Sequence, residues 1–527
     1  MNFRKQPKIS IQRLPCSLDF SEIRRNSVIF LLLLFGCLGN ASGCRGPARH
    51  DPSILHTMID SAPSTLNPRL SLDAVGQRLE MLVFRGLTTL DSELNPQADL
   101  SEKWRLESGG KTVRFTIPKD IRDHAGRSID ARLIQRCFQN YFFKASPSPL
   151  KAAFSTLTSV TQIENEVIFH LSAPDPYLVK NLSAVRYFAS DLNAEDPCRD
   201  PGPDEHLITN GLYSVSPYPE RFEKELILSP RKQSAPRLSF QLIRDETSRL
   251  LKMMNGEIDF VQNSFSPIKT AWLTRQGFQM VQRNGANTSY LAFNLRDPRL
   301  AKLPVRLAIA HAIDRTQIVR YKLNGEATLA SSFLISSLPE GAPFTPFNFD
   351  PAESERLLDQ AGYPRQSDGV RFHLRYKTTT VKEGLELAQI FRENLKAVGI
   401  SLDLEPVEPA VFFASIRKGN FQIYMSRWVG ASDGSLFYRT LHSGEKDNRV
   451  GYRNPDVDAW TASSLRENNL LKRRKILLSI QTKVFEEMPY FPLWHWTNAL
   501  LVRKDLVLPP SESLSLSGSY IPFADLR

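Results

Sequence analysis

A short stretch near residue 430 contains the residue types that could carry out hydrolysis. Residues 430–434 read Gly-Ala-Ser-Asp-Gly, which is the G-x-S-x-G pattern that presents a nucleophilic serine on a sharp turn after a strand. Asp456 or Asp458 and then His495 follow it in the chain order of α/β-hydrolases. Alternating apolar residues before the pattern predict the required strand. Ser432 is therefore the candidate nucleophile of a serine hydrolase.

The remaining signatures of an enzyme are missing from the sequence. No HGGG-like segment, which would supply oxyanion-hole donors, precedes Ser432. The sequence also lacks HExxH, clustered Cys/His metal spacings and GxGxxG. We therefore expect no catalytic residue, no metal and no cofactor, and we keep the serine hydrolase as the alternative from the enzyme class.

The element that would position a functional site is clearest between Gly285 and Arg320. Residues 289–295 alternate loosely and include two aromatic residues, which predicts a largely buried strand. A loop rich in Arg, Asp, Pro and Lys follows. Pro304 suits the first turn of a helix, and the apolar residues after it recur at helical spacing. The stretch therefore predicts a strand, a polar loop and an amphipathic helix.

This stretch resembles part of a known family. Its strand, polar loop and helix sequence VRLAIAHAIDRTQIV are similar to the segment that runs between the lobes in the peptide-binding lipoproteins of ABC importers. These are the extracytoplasmic solute-binding proteins of the oligopeptide and dipeptide type. Further motifs follow the family's order over residues 60–505, and they lie at 86–138, 209–215 (TNGLYSV), 256–260 (GEIDF), 350–363 (DPAESERLLDQAGY), 428–433 and 493–498.

The resemblance implies an α/β protein with the two-lobed fold of periplasmic binding proteins and an additional subdomain. Alternating predicted strands and helices without internal repeats also favour mixed α/β lobes, and 527 residues exceed a single hydrophobic core. Residues 372–404 predict a β-α-β unit with parallel strands. The implied division is a signal peptide at 1–43, lobe I at 44–88, 174–278 and 490–527, an extra subdomain II at 89–173, and lobe III at 279–489.

The N-terminus predicts export and lipid anchoring. Basic residues precede the apolar run 28–39, which is too short to span a bilayer comfortably and is typical of a signal-peptide core. Small residues lead up to two cysteines, and either fits a bacterial lipoprotein site. We favour Cys44 because Ala-Ser-Gly precedes it, and keep Cys37 as the alternative. An uncleaved signal anchor is the remaining interpretation.

Two cysteines, Cys137 and Cys198, lie in the body of the chain after the leader. In an oxidising compartment they could form a disulfide. The sequence does not show that they are close, so a pair of buried thiols remains the alternative.

The formal charge of +11 does not indicate nucleic-acid binding. Lys and Arg are scattered, without a long basic run and without an RRM, KH or zinc-finger pattern. Residues 1–43 have a net charge of +4, so their removal leaves +7 on the rest of the chain. The basic residues are interpreted as a solvated surface.

The resemblance also implies aromatic residues in the ligand cleft. Tyr290 matches a cleft tyrosine of the crossing strand, and Trp494, His495 and Trp496 match an aromatic triplet before the C-terminal strand. An aromatic wall accepts varied side chains because it offers dispersion and stacking without one fixed hydrogen-bond pattern. His495 could also ligate a metal or haem. The alternative is that these residues only pack between the lobes.

The family's ligand-binding loop implies a further set of site residues. In the peptide binders a Trp at a strand end is followed by an Asp that pairs with the peptide's α-ammonium group, and nearby backbone groups bind the peptide like an added strand. Trp428 and Gly430 match this loop, but Ala431 stands where the family has Asp. Asp433 would replace that Asp only if the loop is shifted. Arg427 could meet a ligand carboxylate, with an exposed salt bridge as the alternative.

These observations predict a monomeric, lipid-anchored receptor outside the cytoplasmic membrane. Closure of the lobes would enclose an oligopeptide, and the closed form would dock on an ABC permease with its ATPase subunits. No bond is made or broken in this scheme, and no nucleic acid is involved. Haem, a metal chelate or another small solute is the alternative ligand within the same class.

Overall fold

A computed structural model describes residues 51, 53–71, 73–143, 149–188, 198, 207–215, 219, 221–521 and 523. The predicted signal peptide and both candidate lipidation sites, Cys44 and Cys37, lie outside these residues. Across the described ranges, no helix combines the length and apolar character needed to cross a bilayer.

The strands are short except for two near the middle and the end of the chain. They are β1 Ile54–Ile59, β2 Thr88–Leu90, β3 Pro96–Ala98, β4 Lys103–Glu107, β5 Thr112–Thr116, β6 Leu157–Ile163, β7 Glu166–Leu171, β8 Tyr213–Ser214, β9 Glu225–Pro230, β10 Arg237–Leu242, β11 Phe260–Gln262, β12 Gln279–Phe293, β13 Ala327–Leu329, β14 Phe372–Thr379, β15 Ile400–Val407, β16 Ile423–Trp428 and β17 Tyr490–Val502.

The principal α-helices are α1 Ala74–Val83, α2 Ala131–Phe143, α3 Leu178–Leu182, α4 Glu246–Met254, α5 Pro267–Arg275, α6 Leu303–Ala312, α7 Pro351–Gln360, α8 Lys382–Ala397, α9 Pro409–Arg417, α10 Ser435–Leu441, α11 Pro455–Ser464 and α12 Leu470–Glu487. Short helical turns add Ser108–Gly110, Pro149–Phe154, Arg315–Gln317, Ile318–Lys322 and Ser511–Ser513.

The described strands form four sheets. One four-stranded sheet has the order β1-β10-β9-β8, and a second, antiparallel sheet has the order β4-β5-β7-β6. Strands β2 and β3 form a separate pair, and the largest sheet runs β11-β17-β12-β16-β14-β15 with β13 beside β17. The second sheet falls inside the range predicted for the extra subdomain, but the exact boundaries of the lobes stay predictions.

Strands β12 and β17 cross between the two halves of the largest sheet. The first part of β12, up to Asn284, pairs with the end of β17, and the part from Thr288 onward pairs with the beginning of β17. The register shifts between Asn284 and Thr288, where an irregular strand pair twists more strongly. Strand β11 pairs with the end of β17, whereas β16 pairs with the second part of β12. The strand predicted at residues 289–295 is therefore the second part of a longer crossing strand.

The β-α-β unit predicted at residues 372–404 is confirmed. Strands β14 and β15 pair in parallel, and α8 connects them. Apolar side chains of α8, including Leu387 and Phe391, share one buried cluster with Leu374 and Leu402 of the two strands. The helix was predictable because its apolar residues recur at helical spacing, and Gly399 follows its end with a positive φ of 86°.

A disulfide joins Cys137 of α2 to Cys198, with their Cα atoms 5.2 Å apart. Helix α2 packs on the antiparallel sheet, where Phe138 meets Phe169 edge to face with ring centroids 5.7 Å apart. Of the two alternatives that the sequence left open, the structure therefore contains the paired cysteines. The bond links this helix to a residue 61 positions further along the chain.

Candidate ligand-binding site

A cavity of about 890 Å³ lies beside the crossing strands. Its wall includes residues of α1, α3, the segment around α5 and the end of β17. It also includes residues between 322 and 326, the start of α8 and the loop after β16. The size is that of a pocket for a small molecule or a short peptide. Of the predicted site residues, the wall includes Arg427, Gly430, Asp433 and Trp496.

Arg427 stands on the cavity side of β16 and stacks on Trp496. Its guanidinium carbon lies 4.1 Å from the Trp496 ring centroid, which is a close cation–π contact. The indole of Trp496 is fixed in turn because its Nε1 donates to Ser289 Oγ at 2.8 Å. The nearest carboxylate is Glu383, 3.8 Å from Arg427 Nη2. Partial burial lowers the pKa of Arg427, and the negative charge of Glu383 acts in the opposite direction. The arginine nevertheless remains charged at neutral pH.

Asp433 faces a basic residue from another element of the cavity wall. Lys180 of α3 places its Nζ 3.4 Å from Asp433 Oδ2, and the same Nζ donates to the carbonyl of Ser432 at 2.8 Å. Ser435 donates to Asp433 Oδ1 from its hydroxyl at 2.6 Å and from its amide at 3.1 Å. Burial alone would raise the pKa of Asp433, but Lys180 and these hydrogen bonds hold it below its usual value.

Gly430 lets the loop after β16 turn back onto β12. Its φ of 64° lies in the left-handed region that favours glycine. Its amide donates to Asn287 Oδ1 at 2.8 Å, and the next amide, of Ala431, donates to the Ala286 carbonyl at 2.9 Å. These two amides are therefore used to hold the loop. Gly430 itself lines the cavity.

Tyr290 and Trp428 lie behind the cavity wall and not in it. Tyr290 is 0% exposed, and its ring stacks on Trp428 with centroids 5.4 Å apart and an interplanar angle of 16°. Tyr490 contacts Tyr290 edge to face at 5.4 Å. Trp428 is covered from another side by Arg449, 5.6 Å from its ring. The pair forms an aromatic core that supports the loop carrying Asp433.

Trp494 and His495 are also buried away from the cavity. Trp494 is 0% exposed in the cluster formed with Leu493 and the residues of α6. His495 is 5% exposed, and its Nδ1 is 2.8 Å from Thr288 Oγ1. Desolvation lowers the pKa of His495 to about 4, so the imidazole is neutral near pH 7. Trp496 is thus the one member of the predicted aromatic triplet that reaches the described cavity wall.

The geometry required of a serine hydrolase is not assembled at Ser432. The Ser432 hydroxyl donates to Asp433 Oδ2 at 3.1 Å, while His495 pairs with Thr288. Asp458 accepts a hydrogen bond from the Ser443 amide at 2.8 Å, so its carboxylate does not orient His495. The serine alternative predicted the opposite arrangement, a Ser–His pair oriented by an aspartate.

Residues of other elements that meet this loop were not predictable from the sequence. Glu340 accepts from Arg473 Nε at 2.6 Å and from the Gly434 amide at 2.7 Å, and the Tyr177 hydroxyl lies 3.5 Å away. Lys180 reaches a carbonyl 252 positions along the chain. No local pattern reports such distant pairs, because hydrophobic periodicity describes only neighbours on one helix or strand.

The cavity wall also contains one carboxyl group that burial affects strongly. Burial raises the pKa of Glu326 to about 7, and a hydrogen bond with Thr270 acts in the opposite direction. Elsewhere, among the residues that the structure describes, no group of three or more His, Cys, Asp or Glu side chains is arranged to hold a metal ion.

Comparisons with known proteins agree with this architecture. The family model "Bacterial extracellular solute-binding proteins, family 5 Middle" matches residues 95–448. The oligopeptide-binding protein OppA of Bacillus subtilis is 20% identical over 536 residues, covering 94% of this chain and 98% of that protein. The peptide transport periplasmic protein SapA of Salmonella typhimurium is 24% identical over 463 residues, covering 80% of this chain and 83% of its own.

Solved structures show the same fold. NikA of Brucella suis, in complex with Fe(III)-EDTA, superposes with a TM-score of 0.80 at 20% identity, covering 90% of this chain and 100% of that chain. AppA of Bacillus subtilis, in complex with a nonapeptide, has a TM-score of 0.70 at 18% identity, covering 90% and 98%. The predicted two-lobed periplasmic-binding-protein fold with an additional subdomain is therefore confirmed. Because the family model covers more than half of the sequence, this chain belongs to the bacterial extracellular solute-binding proteins of family 5.

Proposed function

We propose that this protein is the extracytoplasmic receptor of an ABC importer and that it captures oligopeptides in the cavity beside the crossing strands. The observation that carries the proposal is the cavity of about 890 Å³ whose wall is formed by α1, α3, the segment around α5 and the loop after β16. The similarity to OppA, SapA and AppA, which are described as peptide-binding or peptide-transport proteins, supports this ligand class.

The wall has the mixed chemistry that a peptide ligand requires. Trp496 supplies an aromatic face, and Val429 and Ile268 add exposed apolar surface at 66% and 59% exposure. Asn287, whose Oδ1 accepts the Gly430 amide, can donate from Nδ2, and backbone groups offer further hydrogen-bonding partners. Filling such a cavity favours a closed arrangement of the lobes, because the contacts on both walls form together only around a ligand.

We also propose that Cys44, with Cys37 as the alternative, is lipidated after removal of residues 1–43. The anchored, monomeric receptor would deliver its ligand to a membrane permease and the ATPase subunits behind it. Mass spectrometry of the mature N-terminus would identify the modified cysteine. Cys44→Ala should release the protein from the membrane fraction, whereas a release seen only with Cys37→Ala would move the anchor to Cys37.

Native mass spectrometry of protein purified without denaturation tests the ligand class. We expect mass adducts that separate, after acid release, into peptides of a few residues. Ala74→Trp should remove them, because Ala74 is an exposed residue of α1 that lines the cavity. Ala352→Trp, at an exposed position of α7 outside the described cavity wall, is the matched control and should retain them.

Other adducts would point to other ligands. A Soret absorbance would favour haem, although His495 is buried against Thr288 and would have to leave that position to ligate it. Ester turnover that disappears in Ser432→Ala would favour the hydrolase. An empty cavity, with no adduct even when peptide mixtures are supplied, would contradict peptide capture.

A further inference from the structure

The carboxylate of Asp433 has no position left for a ligand ammonium group. Oδ1 accepts two hydrogen bonds from Ser435, and Oδ2 accepts one from Ser432 and faces Lys180 at 3.4 Å. A carboxylate has about four lone-pair positions, so all of them have partners within the protein. Lys180 is itself 15% exposed and is held by the Ser432 carbonyl as well. The ammonium that this carboxylate pairs with is thus supplied by the chain.

Basic side chains outnumber acidic ones on the described cavity wall, but most of them are already engaged. Of the five basic residues on this wall, four are held by partners within the protein and Arg427 is the exception. Lys180 pairs with Asp433, and Lys322 pairs with Glu386. Arg249 donates to the carbonyls of Ile243, Arg244 and Ser264, and Arg78 contacts the Ala74 carbonyl and the Tyr520 ring.

Arg427 has donors that the described protein does not use. Its guanidinium makes no hydrogen bond to any described residue, since its one ion pair, with Glu383, spans 3.8 Å. That separation is longer than a charge-assisted hydrogen bond, which lies near 2.7–2.9 Å. The side chain is 40% exposed, and Trp496 holds the guanidinium plane from one face. A planar fork fixed in this way is preorganised for a carboxylate.

We propose that the ligand is anchored by a carboxylate at Arg427 and not by an ammonium group at Asp433. The inference rests on the proposed function and specifies the ligand class of the same cavity. For a peptide, it means that the free C-terminal carboxylate or an acidic side chain is recognised, while the N-terminus contributes little. Lys180 acts as the internal counter-ion that excludes cationic ends from the loop after β16.

The test uses mixed pools of tri- to pentapeptides in three forms: free termini, N-acetylated and C-amidated. Full-length mature protein, stripped of co-purified ligand, is incubated with each pool, and retained peptides are quantified by mass spectrometry. Dissociation constants are then measured for the peptides that are retained. We expect N-acetylation to change affinity by less than about threefold, and C-amidation of peptides without acidic side chains to weaken it by about tenfold or more, the range of a charged hydrogen bond.

Variants separate this anchor from a structural role. Arg427→Gln should remove the difference between free and amidated peptides, and Arg427→Lys should keep part of it, because lysine retains the charge but not the planar fork. Glu383→Gln should strengthen the binding of peptides with a free carboxylate severalfold, because it removes a competing negative charge. Damage to the fold would instead weaken binding. Arg375→Gln, on β14 outside the cavity wall, is the control and should match the wild type. Circular dichroism checks that each variant is folded.

Lys180→Met provides the complementary test. With the internal ammonium removed, Asp433 becomes available, and N-acetylation should then weaken binding. Equal retention of amidated and free-acid peptides, or loss of binding on acetylation in the wild-type protein, would overturn the inference while leaving peptide capture intact. No retention of any of the three pools would overturn peptide capture itself and the inference with it.

Discussion

Burial decides which predicted side chains can meet a ligand. Arg427, Gly430, Asp433 and Trp496 line the cavity. Tyr290, Trp428, Trp494 and His495 belong to the same strands and loop but lie behind that wall. The sequence could point to this region because strand ends and glycine turns have local signatures. It could not separate wall from core, since a strand inside a large sheet is covered on both faces and its alternation does not report which layer lies outermost.

His495 provides a test at the scale of one residue. Its pKa of about 4 in the folded state lies below the usual 6.5, because burial disfavours the charged imidazole. As the pH falls from 6.5 to 4, the unfolded chain binds a proton that the folded protein does not, so stability is lost over this window. The loss amounts to about 3 kcal/mol at most. His495→Gln should lack this contribution.

Urea unfolding at several pH values would measure the effect of His495. As the pH is lowered from 6.5 to 4, the unfolding free energy of the wild type should fall more than that of His495→Gln. His373→Gln, at a side chain that is 65% exposed, serves as the control. If both variants follow the same pH dependence as the wild type, His495 is not the buried neutral residue described above.

At the scale of elements, Glu340 connects the loop of the cavity to α12. Its carboxylate accepts hydrogen bonds from Arg473 of α12 and from the Gly434 amide just before α10. The side chains of Glu340 and Arg473 are each at most 10% exposed. Glu340→Gln leaves Arg473 buried without its counter-charge. We expect a loss of about 3 kcal/mol in unfolding free energy, as for other broken buried pairs.

The matched control for Glu340 is a surface ion pair of similar type. Arg356 and Glu353 are 2.7 Å apart on α7, and Arg356 is 61% exposed. Glu353→Gln should cost less than about 1 kcal/mol. Denaturant unfolding of both variants makes the comparison. Equal, small losses in the two variants would contradict a buried network around the loop.

The disulfide between Cys137 and Cys198 acts on the elements around α2. Closing a chain segment of this length stabilises the folded state by about 4 kcal/mol on the loop-entropy estimate, with smaller values common in practice. The double variant Cys137→Ala/Cys198→Ala should therefore melt several degrees lower, as should the wild type under reducing conditions. Titratable free thiols in native, unreduced protein would contradict the bond.

The positions of helices and strands were more predictable from the sequence than the contacts between distant segments. The β-α-β unit of residues 372–404 followed from periodicity and from the general preference of such units for parallel strands. The first part of β12 was not predicted, because Gln279–Asn284 is polar and forms a strand only by pairing with β17. The pairing of Cys137 with Cys198 stayed open for the same reason, since contacts between distant segments leave no local pattern.

At the scale of the whole molecule, the two crossing strands make capture by closure physically reasonable. Among the described residues, α3 is joined to the loop after β16 by the ion pair of Lys180 with Asp433 and by the hydrogen bond from Lys180 to the Ser432 carbonyl. Under the proposed function, a bound ligand would supply the further contacts that favour closure.

Rebinding of the compound that co-purifies with the protein is the most direct test of reversible capture in this cavity. The released compound is added back to stripped protein, binding is measured by calorimetry, and the compound is recovered and weighed by mass spectrometry. We expect one molecule per chain, recovery with unchanged mass, and no binding to Ala74→Trp. A compound that is cleaved or otherwise altered on recovery, or that binds Ala74→Trp as tightly as the wild type, would contradict capture in this cavity.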